Sequence, residues 1–320
     1  MTLAIETEGL VKTFGSTRAV DGVDLAVRPG QIYGVLGPNG AGKTTVIRIL
    51  ATLLRPDAGR ASVLGRDVVR DADEVRRRIS LTGQFASLDE DLTGEENLVM
   101  FGRLLDAPKA EAAARARELL DEFDLTDAGA LRVRTYSGGM RRRLDLAASL
   151  IGRPGVVFLD EPTTGLDPGK REELWRMVRS IADRGDTVLL TTQYMEEADA
   201  LADEISVIDQ GRVIARGSPP ELKRLVGRQT VVVRPKQSSR IAEVAAILRG
   251  VAGHEPRTAS REVLTVTVDA DTQFTDVVRH LDRAGIESAE LSLRLPSLDE
   301  VFLTLVGRTA ENGTQEGEAA

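Results

Sequence analysis

The sequence predicts a layered α/β domain followed by a smaller α+β domain. Short, nearly continuous apolar runs alternate with helical patterns as far as about residue 217, as expected for strands that are buried on both faces. The segment Ser218-Pro219-Pro220 and then Gly227 interrupt this pattern. Beyond them a second series of alternating and helical segments begins, which indicates a separate unit.

In the first domain, placed at residues 1–227, each predicted strand is a run of apolar and β-branched residues. Examples of these strands are Gln31–Leu36, Gly155–Leu159, Thr187–Thr191 and Ile205–Ile208. The segment Thr45–Leu54 is predicted to be a helix, because its apolar residues fall on one side.

The second domain is placed at residues 228–307. Its predicted strands are Thr230–Arg234, Glu262–Val268 and Glu290–Leu295, and its predicted helices are Ser239–Leu248, Phe274–Ala284 and Ser297–Leu305. Ser297 and Glu300 have the spacing of a capping box at the start of the last helix. Residues 308–320 are polar and rich in glycine and glutamate, so we expect a disordered tail there.

Charge and composition restrict the classes of function. The chain of 320 residues has a formal net charge of -8, which disfavours a nucleic-acid partner, because such partners usually need a basic face. The arginine clusters Arg76–Arg78 and Arg141–Arg143 are accompanied by acidic residues and are interpreted as solvated helix faces. Cysteine is absent, which excludes disulfides and thiolate zinc sites and fits a reducing cytoplasm.

The N-terminal segment predicts no secretory signal. It carries Glu6 and Glu8 and lacks an apolar core. No apolar run in the sequence approaches the roughly 20 residues that a membrane-spanning helix needs. We therefore expect a cytoplasmic protein without direct membrane insertion.

A glycine-rich loop between the first of these strands and the helix has the spacing Gly-x4-Gly-Lys-Thr. It comprises Gly37, Pro38, Asn39, Gly40, Ala41, Gly42, Lys43 and Thr44. Glycines at this spacing let backbone N–H groups close around a phosphate, and the following helix N-terminus favours negative charge. Lys43 is the candidate ligand of the β- and γ-phosphates, and the Thr44 hydroxyl is a candidate Mg²⁺ ligand. The alternative is a glycine-rich turn without a ligand, which the strand–loop–helix context disfavours.

A second candidate site lies where a buried strand ends in two acidic residues. Asp160 is placed to contact Mg²⁺ through water, and Glu161 to polarise an attacking water. Pro162 follows and should keep Glu161 out of the helical region. Taken alone, an acidic pair at this position is more often a helix cap or a solvated loop. The phosphate loop upstream favours the catalytic interpretation.

Five residues before a predicted helix at Arg141–Ile151 carry a resemblance to a known family. They are Tyr136, Ser137, Gly138, Gly139 and Met140. Here the sequence resembles the ABC ATPases, whose signature motif is Leu-Ser-Gly-Gly-Gln at the same place before the acidic strand end. The match extends over residues 5–217. It implies the fold of a P-loop ABC ATPase nucleotide-binding domain, a layered α/β structure with a helical subdomain.

The resemblance also implies roles for residues outside these motifs. Phe14 is similar to the aromatic residue that stacks on adenine, and Thr45 completes the nucleotide-binding loop. Gln84 resembles the Q-loop glutamine, which contacts nucleotide and metal. Asp167 resembles the D-loop aspartate, and Gln193 occupies the position of the switch residue. The cofactors implied are ATP and Mg²⁺.

In the resembled family, two nucleotide domains pack head to tail. This implies a homodimer in which Ser137, Gly138, Gly139, Met140 and Asp167 face the nucleotide held by the other copy. It also implies a separate multi-span membrane permease as partner, with residues 85–101 as candidates for the contact. The chain would then lie at the cytoplasmic face of the cell membrane through that permease.

One departure from the family pattern concerns catalysis. The family usually has histidine where this chain has Gln193, and the two histidines of the sequence, His254 and His280, lie far along the chain. A glutamine amide can donate a hydrogen bond to phosphate, but it cannot carry charge or relay a proton. We expect Gln193 to be a neutral γ-phosphate sensor and Glu161 to act as the base. The replacement of the signature glutamine by Met140 is expected to change fit rather than chemistry.

Residues 82–84, 136–145 and 191–199 narrow the resemblance to the daunorubicin-resistance branch of drug exporters, as does the ending Ser297–Leu303. This implies the ATP-hydrolysing subunit of an exporter. Two alternatives stay open: an exporter of lipid, glycan or ion, and a non-transport ABC ATPase acting in DNA repair or at ribosomes. The non-transport class usually carries a long coiled-coil insertion or two ATPase domains, and the sequence has neither.

Overall fold

The computed structural model describes residues 2–82, 88–225, 229–260, 262–268, 271–294 and 296–305. The chain forms two compact units, Met1–Pro219 and Pro220–Ala320. The sequence places the limit between the domains somewhat later, after residue 227. The domain limits of 1–227 and 228–307 and the tail at 308–320 stay predictions, and the tail lies outside the described residues.

The first unit is a mixture of strands and helices. Its strands are β1 Ile5–Phe14, β2 Thr17–Val27, β3 Ile32–Leu36, β4 Ala58–Val63, β5 Arg66–Asp67, β6 Ile79–Thr82, β7 Val156–Asp160, β8 Thr187–Thr192, β9 Glu204–Asp209 and β10 Arg212–Gly217. Its helices are α1 Lys43–Leu50, α2 Ala72–Arg76, α3 Gly94–Leu104, α4 Lys109–Glu122, α5 Gly138–Ser149, α6 Pro168–Asp183 and α7 Met195–Leu201. The helix α8 Pro219–Leu225 begins at the limit between the units.

The main sheet of this unit has six strands in the order β10-β9-β3-β8-β7-β6. The pairs of β3 with β8 and β9, of β7 with β8 and of β6 with β7 are parallel. Leu36 of β3 lies opposite Thr192 of β8, and Asp160 of β7 lies opposite Thr191. The carboxyl ends of these three strands therefore meet at one edge of the sheet, which is where ligands bind in open α/β sheets.

The two faces of the main sheet are covered by different layers. Phe158 belongs to a core shared with α1 and with a second, antiparallel sheet of order β2-β1-β4-β5. Its neighbours Val157 and Leu159 belong to a core shared with side chains of α3, α4, α5 and α6. Burial on both faces explains why β7 is a continuous apolar run, and it confirms the predicted layered α/β class.

Three differences from the predicted elements have local causes. Helix α1 ends at Leu50 rather than Leu54, and Thr52 just beyond it has a positive φ of 63°. Helix α5 begins at Gly138 rather than Arg141, because the Ser137 side chain caps it. The antiparallel strands β1, β2 and β4 are not among the strands named from the sequence, since their buried and exposed positions are interrupted by bulges and do not form one apolar run.

The second unit is a four-stranded antiparallel sheet with helices. It contains β11 Gln229–Pro235, α9 Ile241–Ala252, β12 Arg257–Ser260, β13 Val263–Val268, α10 Asp271–Arg283, β14 Ser288–Arg294 and a helix at 298–305. The sheet order is β12-β13-β11-β14, and its core holds Val231, Val233, Val244, Leu248 and Val277. These elements confirm the predicted α+β class. The strand β12 was not predicted, because all four of its residues are exposed.

Two further sequence predictions concern single features of the chain. The capping box before the last helix is present: the Glu300 N–H donates to Ser297 Oγ, and the Ser297 N–H donates to the Glu300 carboxylate. Among the described residues, no helix combines the length and the apolar character needed to cross a bilayer.

Candidate functional site

The phosphate loop joins β3 to α1 and holds its lysine inward. Lys43 Nζ donates to the carbonyl oxygens of Gly37 at 2.7 Å and Pro38 at 3.0 Å, and the side chain is only 4% exposed. The N-terminus of α1 begins at Lys43, so the loop ends at the positive end of the helix dipole. This arrangement is a ready-made anion site.

Two glycines of the loop are required by the space around them. A Cβ on Gly37 would lie 2.2 Å from the carbonyl oxygen of Ile208. Gly42 has φ of 105°, and a Cβ there would lie 2.2 Å from the carbonyl oxygen of Ala19. The loop can therefore pass this close to its neighbours only with glycine at both positions.

A cavity of about 590 Å³ opens beside this loop. It is lined by Phe14, Ala19, Asn39, Gly40, Gly42, Lys43, Thr44, Thr45, Glu161, Thr164 and Gln193. The structure thus brings together, around one space, predicted site residues that come from distant parts of the sequence. Phe14 is half-exposed here, with the Lys12 ammonium 5.8 Å from the centre of its ring.

Asp160 lies at the carboxyl end of β7 and accepts two hydrogen bonds on the same oxygen. Thr191 Oγ1 donates to Oδ1 at 2.6 Å, and Thr44 Oγ1 donates to it at 3.1 Å. A hydroxyl and a carboxylate side by side are hard oxygen donors of the kind that Mg²⁺ accepts. In the described part of the chain, no group of three His, Cys, Asp or Glu side chains is arranged to hold a metal. Mg²⁺ fits such a pair, because it commonly keeps water and substrate phosphates in its remaining positions.

Glu161 follows Asp160 in an unusual backbone conformation. Its φ is 49°, in the left-handed region, whereas a residue before proline usually adopts an extended conformation. Its N–H donates to both the carbonyl and the hydroxyl oxygen of Thr191, each at 3.1 Å. The carboxylate then lies with Oε1 3.4 Å from Lys43 Nζ and with Oε2 accepting from Thr164 Oγ1 at 3.3 Å. The sharp turn directs this carboxylate into the cavity.

The signature and D-loop residues form a separate group. Ser137 Oγ accepts from the Met140 N–H at 3.2 Å at the start of α5, and around Gly138 a Cβ would meet nothing within 4 Å. Asp167 caps α6 and is paired with the Lys170 ammonium at 2.6 Å. The hydrogen bonds from Lys170 hold the pKa of Asp167 below its usual range. Within the described residues, none of these side chains belongs to the lining of the phosphate-loop cavity.

The predicted permease contact at 85–101 falls partly outside the described residues, which resume at residue 88. Gln84 and Phe85 lie outside the described residues. Phe101 lines a groove of about 890 Å³ between α2, α3, α4 and the end of α5. Leu104 and Leu105 also line it, and they are 71% and 56% exposed.

One expectation from the sequence is wrong for a residue near this site. Arg142 does not belong to a solvated helix face, because its side chain is only 15% exposed. It donates from Nε to the Pro162 carbonyl oxygen at 3.1 Å and from Nη1 to Asp145 Oδ2 at 3.2 Å. Burial lowers the pKa of Arg142, although Asp145 and Glu197 act in the opposite direction. Arg141 is partly exposed and pairs with Glu90 at 2.7 Å.

The burial of Glu197, four residues beyond the switch position Gln193, was not predicted from the sequence. It is fully buried in α7, and its Oε1 accepts from Trp175 Nε1 at 3.3 Å. Burial raises the pKa of Glu197, and nearby hydroxyls of Thr192 and Thr163 partly oppose that shift. The acidic residues in this stretch give no sign of burial in the sequence alone, so the residue could be found only from the packing.

Comparisons with known proteins agree on one group of ATP-binding proteins. Residues 20–164 match the family model described as ABC transporter. Residues 217–306 match the model described as ATP-binding protein DrrA1-3-like, C-terminal domain.

Two curated relatives extend over nearly the whole chain. The daunorubicin resistance ATP-binding protein DrrA2 of Streptomyces coeruleorubidus is 54% identical over 320 residues, covering 99% of both chains. The daunorubicin/doxorubicin resistance ATP-binding protein DrrA of Streptomyces peucetius is 53% identical over 322 residues, covering 100% of this chain and 97% of that protein. The similarity therefore includes the second unit as well as the first.

A solved structure supports the fold assignment independently. It is an ATP-binding cassette of an ABC transporter in its ADP conformation, with a TM-score of 0.63 and 25% identity. The match covers 69% of this chain and 93% of the solved chain. The shared part is thus nearly all of that cassette and about two thirds of this protein.

Proposed function

The chain belongs to the ABC transporter family, and from this premise we propose that it powers the export of a drug or antibiotic-like compound through a separate membrane permease. Members of this family bind ATP and hydrolyse it to drive transport, and this chain is such an ATPase. The observation that supports a drug as the exported compound is the 54% identity, over 99% of both chains, to a daunorubicin resistance ATP-binding protein. The C-terminal match at 217–306 supports the same branch.

In the proposed mechanism the phosphate loop binds the nucleotide and the acidic strand end supports hydrolysis. Lys43 and the N–H groups at the start of α1 bind the β- and γ-phosphates, and Phe14 stacks on the adenine. Glu161 accepts a proton from the attacking water, which its place at the cavity beside Lys43 allows. Gln193 donates a hydrogen bond to the γ-phosphate as a neutral sensor.

Thr44 and Asp160 are the residues proposed to hold Mg²⁺, with Gln84 as a further ligand. The contact between Thr44 Oγ1 and Asp160 Oδ1 at 3.1 Å supports this, because it places a hydroxyl and a carboxylate oxygen side by side, and both would be suitable oxygen ligands. When bound, Mg²⁺ would neutralise phosphate charge. Thr191 holds Asp160 in place through its 2.6 Å hydrogen bond.

A homodimer is proposed to complete the site. Ser137, Gly138, Gly139, Met140 and Asp167 lie apart from the cavity lining, at the starts of α5 and α6. An open helix N-terminus with small residues suits a phosphate approaching from outside the chain. We therefore infer that these residues face the nucleotide held by a second copy.

The permease is proposed to insert a helical segment into the groove beside Phe101. Leu104 and Leu105 at this groove expose large apolar side chains, which are typical of an interaction surface. Contact there would hold the chain at the cytoplasmic face of the membrane without insertion into the lipid.

The ATPase roles are tested with purified full-length chain and magnesium ATP. Glu161→Gln should bind ATP and leave it unhydrolysed, whereas Lys43→Ala should fail to bind it. Equal turnover by wild type and Glu161→Gln would contradict the role of Glu161. A stable partner pulled down with Glu161→Gln should be a multi-span membrane protein, and a ribosomal or DNA-repair partner would contradict transport.

The cargo is tested separately in a sensitive host that expresses this chain with that membrane partner. Wild type should lower the accumulation of daunorubicin, while Glu161→Gln with the same partner should not. Equal daunorubicin accumulation in both strains, although the wild-type chain hydrolyses ATP, would reject daunorubicin export and leave the ATPase assignment in place.

A further inference from the structure

Arg142 lies in the first turns of α5 and is directed at the loop that carries Glu161. Its Nε donates to the Pro162 carbonyl oxygen at 3.1 Å, and its Nη1 donates to Asp145 Oδ2 at 3.2 Å. Only 15% of the arginine side chain and 9% of the aspartate side chain are exposed. Burying a charged pair costs desolvation free energy and gives little net stability. A role in function is therefore a better explanation than stability for a buried pair beside this loop.

The backbone of Glu161 needs support from its surroundings. A glutamate with φ of 49° directly before proline is in a sparsely populated conformation, which persists only where neighbouring contacts hold it. Thr191 holds the N-terminal side, through two hydrogen bonds from the Glu161 N–H. Arg142 holds the C-terminal side, through the carbonyl of the next residue, Pro162.

The neighbouring arginines of the same helix make different contacts. Arg141 donates from Nη1 to Glu90 Oε1 at 2.7 Å and is partly exposed. Arg143 donates to the carbonyl oxygens of Phe123 and Asp124, both at 3.4 Å. The contact with the Glu161 loop is therefore a property of the position of Arg142 on α5 rather than of the arginine cluster as a whole.

We propose that Arg142 is a positioning residue for ATP hydrolysis, which fixes the Glu161–Pro162 loop of its own chain to helix α5. This rests on the proposed function, in which Glu161 is the base and the start of α5 faces the nucleotide of a second copy. Arg142 then connects two sites: contact of Ser137 with one nucleotide adjusts the base that acts on the other. Asp145 acts through Arg142 by holding its guanidinium.

The first test compares three variants in steady-state hydrolysis as a function of ATP concentration. Arg142→Gln should lower kcat about tenfold, as expected for the loss of one hydrogen bond from a charged group, and leave KM for ATP nearly unchanged. Arg142→Lys should recover part of kcat, because an ammonium can still donate to the Pro162 carbonyl. Arg141→Gln is the matched control and should behave as wild type. Equal changes in kcat and KM without rescue by lysine would indicate a general structural role and overturn the proposal.

The second test uses mixed dimers in which one copy carries Glu161→Gln, so that a single site hydrolyses ATP. When Arg142→Gln is in the copy with the intact base, the rate should fall about tenfold. When Arg142→Gln is in the Glu161→Gln copy, the active base keeps its own Arg142 and the rate should change little. An equal loss in both dimers, or a loss only in the second, would place the effect in the signature contact and overturn the proposal.

Two outcomes keep this test separate from the proposed function. If wild-type chain or the dimer with one Glu161→Gln copy hydrolyses no ATP, the proposed roles of the site fail rather than that of Arg142. If Arg142→Gln does not fold, as judged by thermal unfolding, Arg142→Lys replaces it in the same dimers. The lysine variant should then reduce the rate to a smaller extent and in the first dimer alone, and an unchanged rate would overturn the proposal.

Discussion

Lys43 and Glu161 face each other at the phosphate loop, with Nζ 3.4 Å from Oε1 and only 4% and 10% of the two side chains exposed. The ammonium proposed to bind phosphate is thus already paired with the carboxylate proposed to activate water. ATP must compete with this carboxylate for the lysine. Loss of the Glu161 carboxylate should therefore slow hydrolysis without weakening ATP binding, whereas loss of the Lys43 ammonium should weaken ATP binding.

The first prediction follows from this pair. Glu161→Gln should lower hydrolysis about 100-fold or more, the range for loss of a general base. Its affinity for ATP should stay equal or rise, because Lys43 loses a competing negative charge. Single-turnover hydrolysis and equilibrium binding of a fluorescent ATP analogue measure the two effects. A parallel loss of binding and hydrolysis would argue that Glu161 serves only to hold the loop.

A second prediction concerns Gln193, which lines the cavity with the phosphate loop. Gln193→Ala should lower hydrolysis about tenfold, because one hydrogen bond to a charged phosphate is lost while the base stays in place. The rate is measured with the membrane partner bound and compared with that of Glu161→Gln, which should be far slower. Unchanged hydrolysis by Gln193→Ala would remove the sensor role.

The third prediction distinguishes backbone strain at a positive φ from a steric clash of an added Cβ within the phosphate loop. Gly40 and Gly42 both have positive φ, 82° and 105°, but a Cβ on Gly40 would meet nothing within 4 Å. Gly42→Ala should abolish ATP binding, since its Cβ would lie 2.2 Å from the Ala19 carbonyl oxygen. Gly40→Ala should cost only about 1 kcal/mol of unfolding free energy and keep measurable binding. Similar binding by both variants would contradict the close approach at Gly42.

A fourth prediction uses the buried carboxyl of Glu197. Because burial raises its pKa, the native state binds this proton more readily than the unfolded chain does. The stability contributed by the group is complete below the ordinary range of a glutamate carboxyl and is lost as pH rises through the raised pKa. The amide of Glu197→Gln does not titrate, so the Tm of this variant minus that of wild type should increase from about pH 5 to about pH 8.

The matched control for that measurement is Glu196→Gln, which removes a carboxylate from the exposed side of the same helix. The pH trend should be seen for Glu197→Gln and be absent from the difference between the control and wild type. A constant Tm difference for Glu197→Gln across this pH range would show that the buried carboxyl does not titrate there.

Much of the site could be predicted because its residues lie in short stretches of sequence. Lys43 and Thr44 end the loop that follows β3, and Asp160 and Glu161 lie at the end of β7, so their proximity follows from the parallel order of the strands. The hydrogen bond of Thr191 to Asp160 could not be predicted, since the hydroxyl belongs to a third strand and its direction depends on the register. The roles of these site residues in nucleotide binding and hydrolysis stay proposals.

The α/β class, the α+β second unit and the order of the nucleotide motifs follow from the amino-acid sequence alone. These depend on periodicity and on local spacing, which are properties of residues that are close in the sequence. Three features could be found only from the packing of the folded chain: Arg142 is buried against Pro162, Glu161 adopts a left-handed turn, and Lys43 is paired with Glu161. Each of these depends on contact between segments far apart in the chain, where burial and charge are set by packing rather than by neighbouring residues.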